Sequence, residues 1–262
     1  MAQLSSEFNF TGSLGNLTAY KMKGVDRMIL RMKGGPSKKT IKTSPKFALV
    51  RRNNAEFGGR ARATRFIMMG MHPLKALADY NIAGPLNALM KPIQVLDKQN
   101  TLGKRHVLLS QNPRLLEGFS LNRQNPFDAM LRASLTYTMS RETLSATLDL
   151  PAMIPGINLF LSQRYPLYSV VAVLSVIPDV YYHENGYKTL LPDYNSTYVM
   201  SPWYPVLKGS PANTLELSLT NTPPDIAFSL MLSIGIRFGT MADASTIQQV
   251  RRAGAAKILA VR

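Results

Sequence analysis

The sequence predicts a mainly-β protein: an antiparallel β-sandwich or barrel-like domain preceded by a basic arm with a hairpin and short helices. Three observations carry this expectation. Beyond Lys104 the apolar residues recur at every second position, as in Leu131, Ala133, Leu135 and Tyr137 or Leu215, Leu217 and Leu219, the period of a strand with one buried face. No helical pattern of roughly 10 to 15 residues separates the candidate strands, which argues against an alternating α/β chain. The positive charge is regional: 14 Lys or Arg against two acids between Leu17 and Arg65 give that segment +12 of the formal +16 of the 262-residue chain.

The arm is expected over residues 1–65. Gly15-Asn16 turns the polar lead into a first strand from Leu17 to Met22, which Asp26 to Met32 answers across a Lys23-Gly24-Val25 turn. Lys21, Lys23, Arg27 and Arg31 would then line one exposed face, a cationic ribbon suited to a phosphate backbone or an acidic protein surface. The competing reading is that they solvate an edge strand. Lys33-Gly34-Gly35-Pro36-Ser37-Lys38-Lys39 lacks the spacing of a phosphate-cradling loop, and Pro36 removes an N–H where one would be needed. Ser44-Pro45 is expected to cap and open a helix that Gly58-Gly59 stops, with Phe47, Val50 and Asn54 on one face and Lys46, Arg51 and Arg52 elsewhere. A second helix follows from Arg60 to Met71. The binding cations are thus Lys21, Lys23, Arg27, Arg31, Lys33, Lys38, Lys39, Lys42, Lys46, Arg51, Arg52, Arg60, Arg62 and Arg65. Among them Arg51 and Arg52 are expected to make the strongest partner contact through their planar forks, unless Glu56, four residues beyond Arg52, engages that arginine within the helix.

Gly12, Leu14 to Leu17, Tyr20, Lys21, Lys23 and Gly24, then Lys33 to Lys38, then Arg51 to Asn54 with Glu56 to Gly58, form a run that resembles the N-terminal region of basic proteins found in Bacteroidota. The ending from Arg251 to Leu259 is similar to the closing strand of such proteins. The resemblance implies a bacterial origin and carries over neither an activity nor a catalytic residue.

Residues 66–103 read as short helices and a linker, with Pro85 and Pro92 interrupting the apolar pattern and Asp97 to Gly103 as a polar link. The β domain is expected over 104–262, with strands at 105–110, 129–138, 144–150, 167–177, 197–200, 214–219, 227–238 and 256–261. Those at 168–177 and 227–236 are apolar throughout and should be buried on both faces. Asp179, His183 and Glu184 imitate a hydrolytic or metal site, but the Asn185-Gly186 turn beside them places them at a loop tip. The three histidines lie in unlike segments and the chain has no cysteine, so neither a metal site nor a cofactor site is expected. Tyr181, Tyr182, Tyr187, Tyr198, Trp203 and Tyr204, with Tyr194 and Pro192 among them, either form a binding platform or close one end of a sandwich. Met1 to Phe10 lacks the features of a secretory signal and no apolar run reaches the roughly 20 residues of a spanning helix, so a cytoplasmic protein without a transmembrane segment is expected.

These observations lead to a non-enzymatic structural or assembly subunit whose basic arm docks on an acidic protein partner or on a neighbouring copy in a homo-oligomer. The alternative is a nucleic-acid-binding protein that contacts phosphate through the arm. An enzyme built around Asp179, His183 and Glu184 is the weakest reading.

Overall fold

In the computed structural model, residues 2–3, 10–22, 27–162, 164–184, 186–191, 195–220, 226–243 and 246–262 are described. The expected turn at Lys23-Gly24-Val25, and Asn185, Pro192, Tyr194 and Pro223-Pro224, lie outside them. The chain divides into two units, Met1–Arg51 and Arg52–Arg262.

The first unit carries a small antiparallel sheet of β1 (Ala2–Gln3), β2 (Gly12–Leu14), β3 (Leu17–Lys21) and β4 (Met28–Met32), in the order β1-β4-β3-β2. Leu14 pairs Leu17 across the Gly15-Asn16 turn, where Gly15 adopts φ 53°, a conformation that costs glycine little. β3 and β4 form the expected hairpin, with Thr18 opposite Arg31 and Lys21 opposite Met28. Directly opposed residues share a face and successive residues alternate, so Lys21 and Arg31 point to opposite faces. The single cationic ribbon expected to include both does not form. Next, α1 (Lys38–Thr43) is capped by Ser37, whose Oγ accepts from the Thr40 N–H at 3.0 Å. Ser44-Pro45 opens only a 3-10 turn, Pro45–Phe47, and the Ser44 side chain caps nothing there.

α2 (Ala48–Gly70) is one continuous helix of 23 residues, where the Gly-Gly pair was expected to split it. Its buried positions are Glu56, Gly59, Ala63, Thr64, Ile67 and Gly70, a stripe at helical spacing, while Val50 and Asn54 from the face read in the sequence are exposed. A Cβ on Gly59 would stand 2.5 Å from the Tyr187 ring, and one on Gly70 2.6 Å from Ser175 Oγ. Both glycines are therefore sites of close packing, and contact with the rest of the second unit offsets their helix-propensity cost of about 1 kcal/mol each. The expected boundary at residue 65 falls inside this helix.

In the second unit a 3-10 helix, His72–Leu77, leads to α3 (Ala83–Leu96), which accommodates Pro92 in its interior. The Asp97–Gly103 segment is tied down. Asp97 Oδ1 accepts from the N–H groups of Gln99 and Asn100, and its Oδ2 accepts from the His106 N–H at 2.7 Å and from Asn100 Nδ2. α4 (Phe127–Met130), β5 (Thr136–Ser140), β6 (Ser145–Leu150), β7 (Leu167–Pro178), β8 (Tyr181–His183), β9 (Gly186–Lys188), β10 (Ser196–Met200), β11 (Tyr204–Pro205), β12 (Asn213–Ser218), β13 (Phe228–Met241) and β14 (Ile247–Val261) complete the chain.

β10-β7-β13-β14 form the main antiparallel sheet, with β11 also on β7; β12-β6-β5 form a second sheet and β8-β9 a separate hairpin. The sheets stay open, so the architecture is sandwich-like and not a closed barrel. On the main sheet, Tyr168, Val170, Ala172, Leu174 and Val176 of β7 join Leu230, Leu232, Ile234, Ile236 and Phe238 of β13 in a core shared with the second sheet. Val171, Val173, Ile177, Met231, Ala256 and Ile258, on the opposite face, pack with Ala63, Ile67, Leu74, Leu77, Leu86, Met90 and Ile93 from the helices. The two central strands are thus buried on both faces, as their unbroken apolarity required. Residues 66–103 are accordingly a packed helical layer, not a linker ahead of a separate β domain.

Two expected strands do not form as read. Within 105–110 only Val107 makes an isolated bridge, to Val180, before a 3-10 turn at Leu109–Gln111. Within 129–138 the chain leaves α4, bridges once from Leu131 to Leu159, and becomes strand only at Thr136. Alternation there reflects a segment lying along the core edge without a continuous partner for its backbone.

Candidate functional site

The cations of the arm fall in both units. In the first, Lys21, Arg31, Lys33, Lys38, Lys39, Lys42 and Lys46 have exposed or partly exposed side chains, and Arg27 is exposed. Arg31 lies over the Tyr20 ring at 5.5 Å, and Lys33 Nζ donates to the Gly15 carbonyl at 3.1 Å. Lys23 lies outside the described residues. Arg51 differs from the others: its guanidinium donates to the carbonyls of Ile41 and Ser44, each at 2.8 Å, and so satisfies chain-end carbonyls around α1. One of its two terminal nitrogens is thus engaged within its own unit.

In the second unit Arg52, Arg60, Arg62 and Arg65 belong to α2. Arg62 donates to the Tyr187 carbonyl at 2.9 Å, and Arg60 donates to Gln94 Oε1 at 3.1 Å and sits 5.8 Å from the Phe57 ring. Arg52 and Arg65 are exposed. Among the described residues, three ion pairs form: Glu56–Arg105, Asp128–Lys257 and Glu117–Arg262. None of them engages Lys21, Arg31, Lys33, Lys38, Lys39, Lys42, Lys46, Arg51, Arg52, Arg60, Arg62 or Arg65.

Glu56 anchors this cationic helix. It is buried, and Arg105 grips it through two bonds, Nε to Oε1 at 2.6 Å and a terminal nitrogen to Oε2 at 2.7 Å, while the Gly103 N–H donates to Oε1 at 3.0 Å. Burial pushes the Glu56 carboxyl up. The Arg105 and Gly103 bonds, with the charges of Arg105 and Arg60, outweigh it and hold the group below its ordinary value. The Arg105 carbonyl in turn accepts from the Tyr187 hydroxyl at 2.9 Å and from Gln94 Nε2 at 3.0 Å, which ties α2, α3 and β9 together. The sequence reading missed this network. The intrahelical Arg52–Glu56 pair it weighed does not form, because the glutamate turns inward to an arginine 49 residues away. A lone carboxylate in a segment so rich in cations was the only available signal.

Asp179, His183 and Glu184 do not converge. Asp179 is buried at the end of β7, where its carboxylate accepts from the Ser110 N–H and hydroxyl, whereas His183 and Glu184 are exposed on the β8–β9 hairpin. Its expected place at a loop tip is therefore corrected. Burial pushes the Asp179 carboxyl up despite those hydrogen bonds. No group of three or more His, Asp or Glu side chains suited to a metal ion occurs among the described residues.

The six aromatics divide between two places. Tyr181, Tyr182 and Tyr187 belong to the β8–β9 hairpin, where Tyr187 is buried against Gly59 and Tyr181 packs edge-on to His106. Tyr198, Trp203 and Tyr204 lie on or beside β10 and β11. There Tyr204 pairs Tyr168 near the start of β7, and Trp203 sits beneath the Arg237 guanidinium at 4.3 Å. Along β7, Tyr204 lies opposite Tyr168, about 33 Å from Pro178, and Tyr198 lies opposite Val173, about 17 Å from it, so the six rings are spread along the strand and do not make one platform.

What fold and site define is a mainly-β protein with a helical layer on one sheet face and twelve cations between Lys21 and Arg65 that form no ion pair among the described residues. No helix among the described residues is long and apolar enough to cross a membrane. The chain matches no protein-family model, no curated protein and no solved structure.

Proposed function

We propose that the protein is a non-enzymatic structural or assembly subunit whose basic segment docks on an acidic protein surface, on a partner or on a second copy of the chain. One observation carries the reading. Twelve cations between Lys21 and Arg65 form no ion pair among the described residues, while the carboxylates of Glu56, Asp97 and Asp179 each accept internal hydrogen bonds. Charges left open in this way favour a counter-surface that supplies the missing carboxylates. The large sandwich, whose residues 104–262 carry only +4 of the formal +16, suits the body of an assembly better than a binder of phosphate alone.

The test is competition on the full chain at about 50 mM salt, where electrostatic contacts are strong. An acidic polypeptide should displace a labelled acidic protein surface at lower concentration than duplex DNA or single-stranded RNA. Tighter binding of either nucleic acid would replace this reading with phosphate recognition. A chain lacking residues 1–51 should keep a cooperative melt, because those residues form a unit of their own, and should bind the acidic polypeptide more weakly.

A further inference from the structure

A cleft that the docking reading leaves largely unused lies in the second unit. α2 and α3 run antiparallel: Arg60 on α2 bonds Gln94 near the end of α3, and the other end of α2 approaches His72 and the start of α3 at Ala83-Gly84. Between them is a cleft of about 620 Å³, within the range of small-molecule sites. Phe57, Ala61, Met68, Met69 and Ala88 give it apolar walls. Phe57 is 56% exposed although large and aromatic, so its ring is available to an occupant.

Every charged residue on the cleft wall is basic: Arg60, Arg65, Lys75 and Lys91, with His72 beside them and no Asp or Glu. At the start of α3 the first turn holds no acidic residue, the Ala83 N–H already donates to Asn81 Oδ1 at 3.1 Å, and Pro85 has no N–H. Thr64 lines the same cleft, and its Oγ1 is buried without a hydrogen-bond partner, as is Arg60 Nε.

The lining selects the occupant: apolar walls run beside an entirely basic rim. From Phe57 to Met69 the cleft follows α2 for about 18 Å at 1.5 Å per residue, a length that a single extended hydrocarbon chain can fill. Methionine walls adapt to the irregular packing of such a chain. We propose that this cleft binds a single-chain anionic amphiphile, a long-chain carboxylate or a monoalkyl phosphate. Its hydrocarbon lies along Phe57, Ala61 and Met68, and its headgroup meets Lys75, His72 and the first turn of α3. The ligand is either free in solution or drawn from an anionic bilayer, and the chemistry recognised is the same.

The full chain is titrated with anthroyloxy-labelled palmitate, followed by displacement with unlabelled palmitate, hexadecyl phosphate and hexadecanol. Saturable binding at one site is expected, with the two anions displacing the label at about tenfold lower concentration than the alcohol. Ala88→Trp, at an exposed wall position, fills the cleft and should weaken binding by about tenfold or more while leaving the melting temperature unchanged. Lys75→Glu removes a headgroup contact without filling space and should weaken palmitate and hexadecyl phosphate, but not hexadecanol.

Co-sedimentation with phosphatidylglycerol vesicles, lost in Ala88→Trp, would identify the bilayer as the source; palmitate binding without co-sedimentation would identify the free amphiphile. The proposal is overturned by binding that does not saturate, by equal displacement by hexadecanol, or by unchanged affinity in a folded Ala88→Trp variant. Displacement by an acidic amphipathic peptide at lower concentration than palmitate would overturn it in favour of a protein segment.

Discussion

Replacing Arg105 by Met tests whether α2 is held by a buried charge pair. The substitution keeps most of the side-chain volume and removes both guanidinium bonds to Glu56, at 2.6 and 2.7 Å. The Glu56 side chain is only 4% exposed, so its carboxylate would retain the Gly103 N–H and lose its counter-charge. Removing one partner of a fully buried pair costs about 3 to 5 kcal/mol; the Arg105 side chain is 17% exposed, water reaches its side of the pair, and a loss of about 2 to 4 kcal/mol is expected. The loss should also depend on pH. In the parent chain the Glu56 carboxyl is held below its ordinary value, so the pair's stability is fully present above the unfolded value and lost as pH falls through the folded one. In the variant, burial dominates and pushes the group up, so protonation relieves the strain at low pH. Urea unfolding at pH 7 and at about pH 4 should therefore give a difference that shrinks in acid. A loss below about 1 kcal/mol at pH 7, or one equal at both pH values, would refute the argument. Arg52→Met, at an exposed position where the intrahelical pair considered from sequence does not form, should change stability by less than about 0.5 kcal/mol.

Two further predictions concern neighbouring positions. Gly59→Ala places a Cβ 2.5 Å from the Tyr187 ring and should cost about 1 to 3 kcal/mol in a thermal melt, whereas Gly58→Ala, with open space around it, should stabilise by up to about 1 kcal/mol; matching effects would show that α2 does not pack on Tyr187 as described. For Asp179, burial raises the folded-state value, so the stability linked to its proton is present below the unfolded value and is lost as pH rises through the folded one; the urea midpoint of Asp179→Asn should gain on that of the parent chain between about pH 4 and 7, and a constant difference would exclude this linkage.

Much of the fold was legible where one local rule had no competitor. β7 and β13 are apolar at nearly every position, which only a strand covered on both faces requires, and Leu215-Leu217 gave the alternation of β12 directly. The β2–β3 turn was written in Gly15-Asn16. By contrast, the alternation at Leu131, Ala133 and Leu135 looked the same in sequence but lacked a partner strand. The cationic site was legible as composition and not as geometry. Lys21 and Arg31 were visible as charges, while the register that sends them to opposite faces depends on the pairing of β3 with β4.

The sequence by itself determined that the protein is mainly β, that two strands lie at the centre of its core, and that most of its excess positive charge lies in the first 65 residues. Those properties follow from residue type and spacing alone. Only the tertiary structure decided that Gly58-Gly59 lies within a continuous helix, because what permits Gly59 there is the Tyr187 ring, a neighbour distant in the chain that fills the space of the absent side chain. It also decided the fate of Glu56 and Arg51. The buried Glu56 carboxylate is held by the Arg105 counter-charge and a terminal nitrogen of Arg51 donates where two carbonyls converge, and in both cases the partners are brought together by the fold.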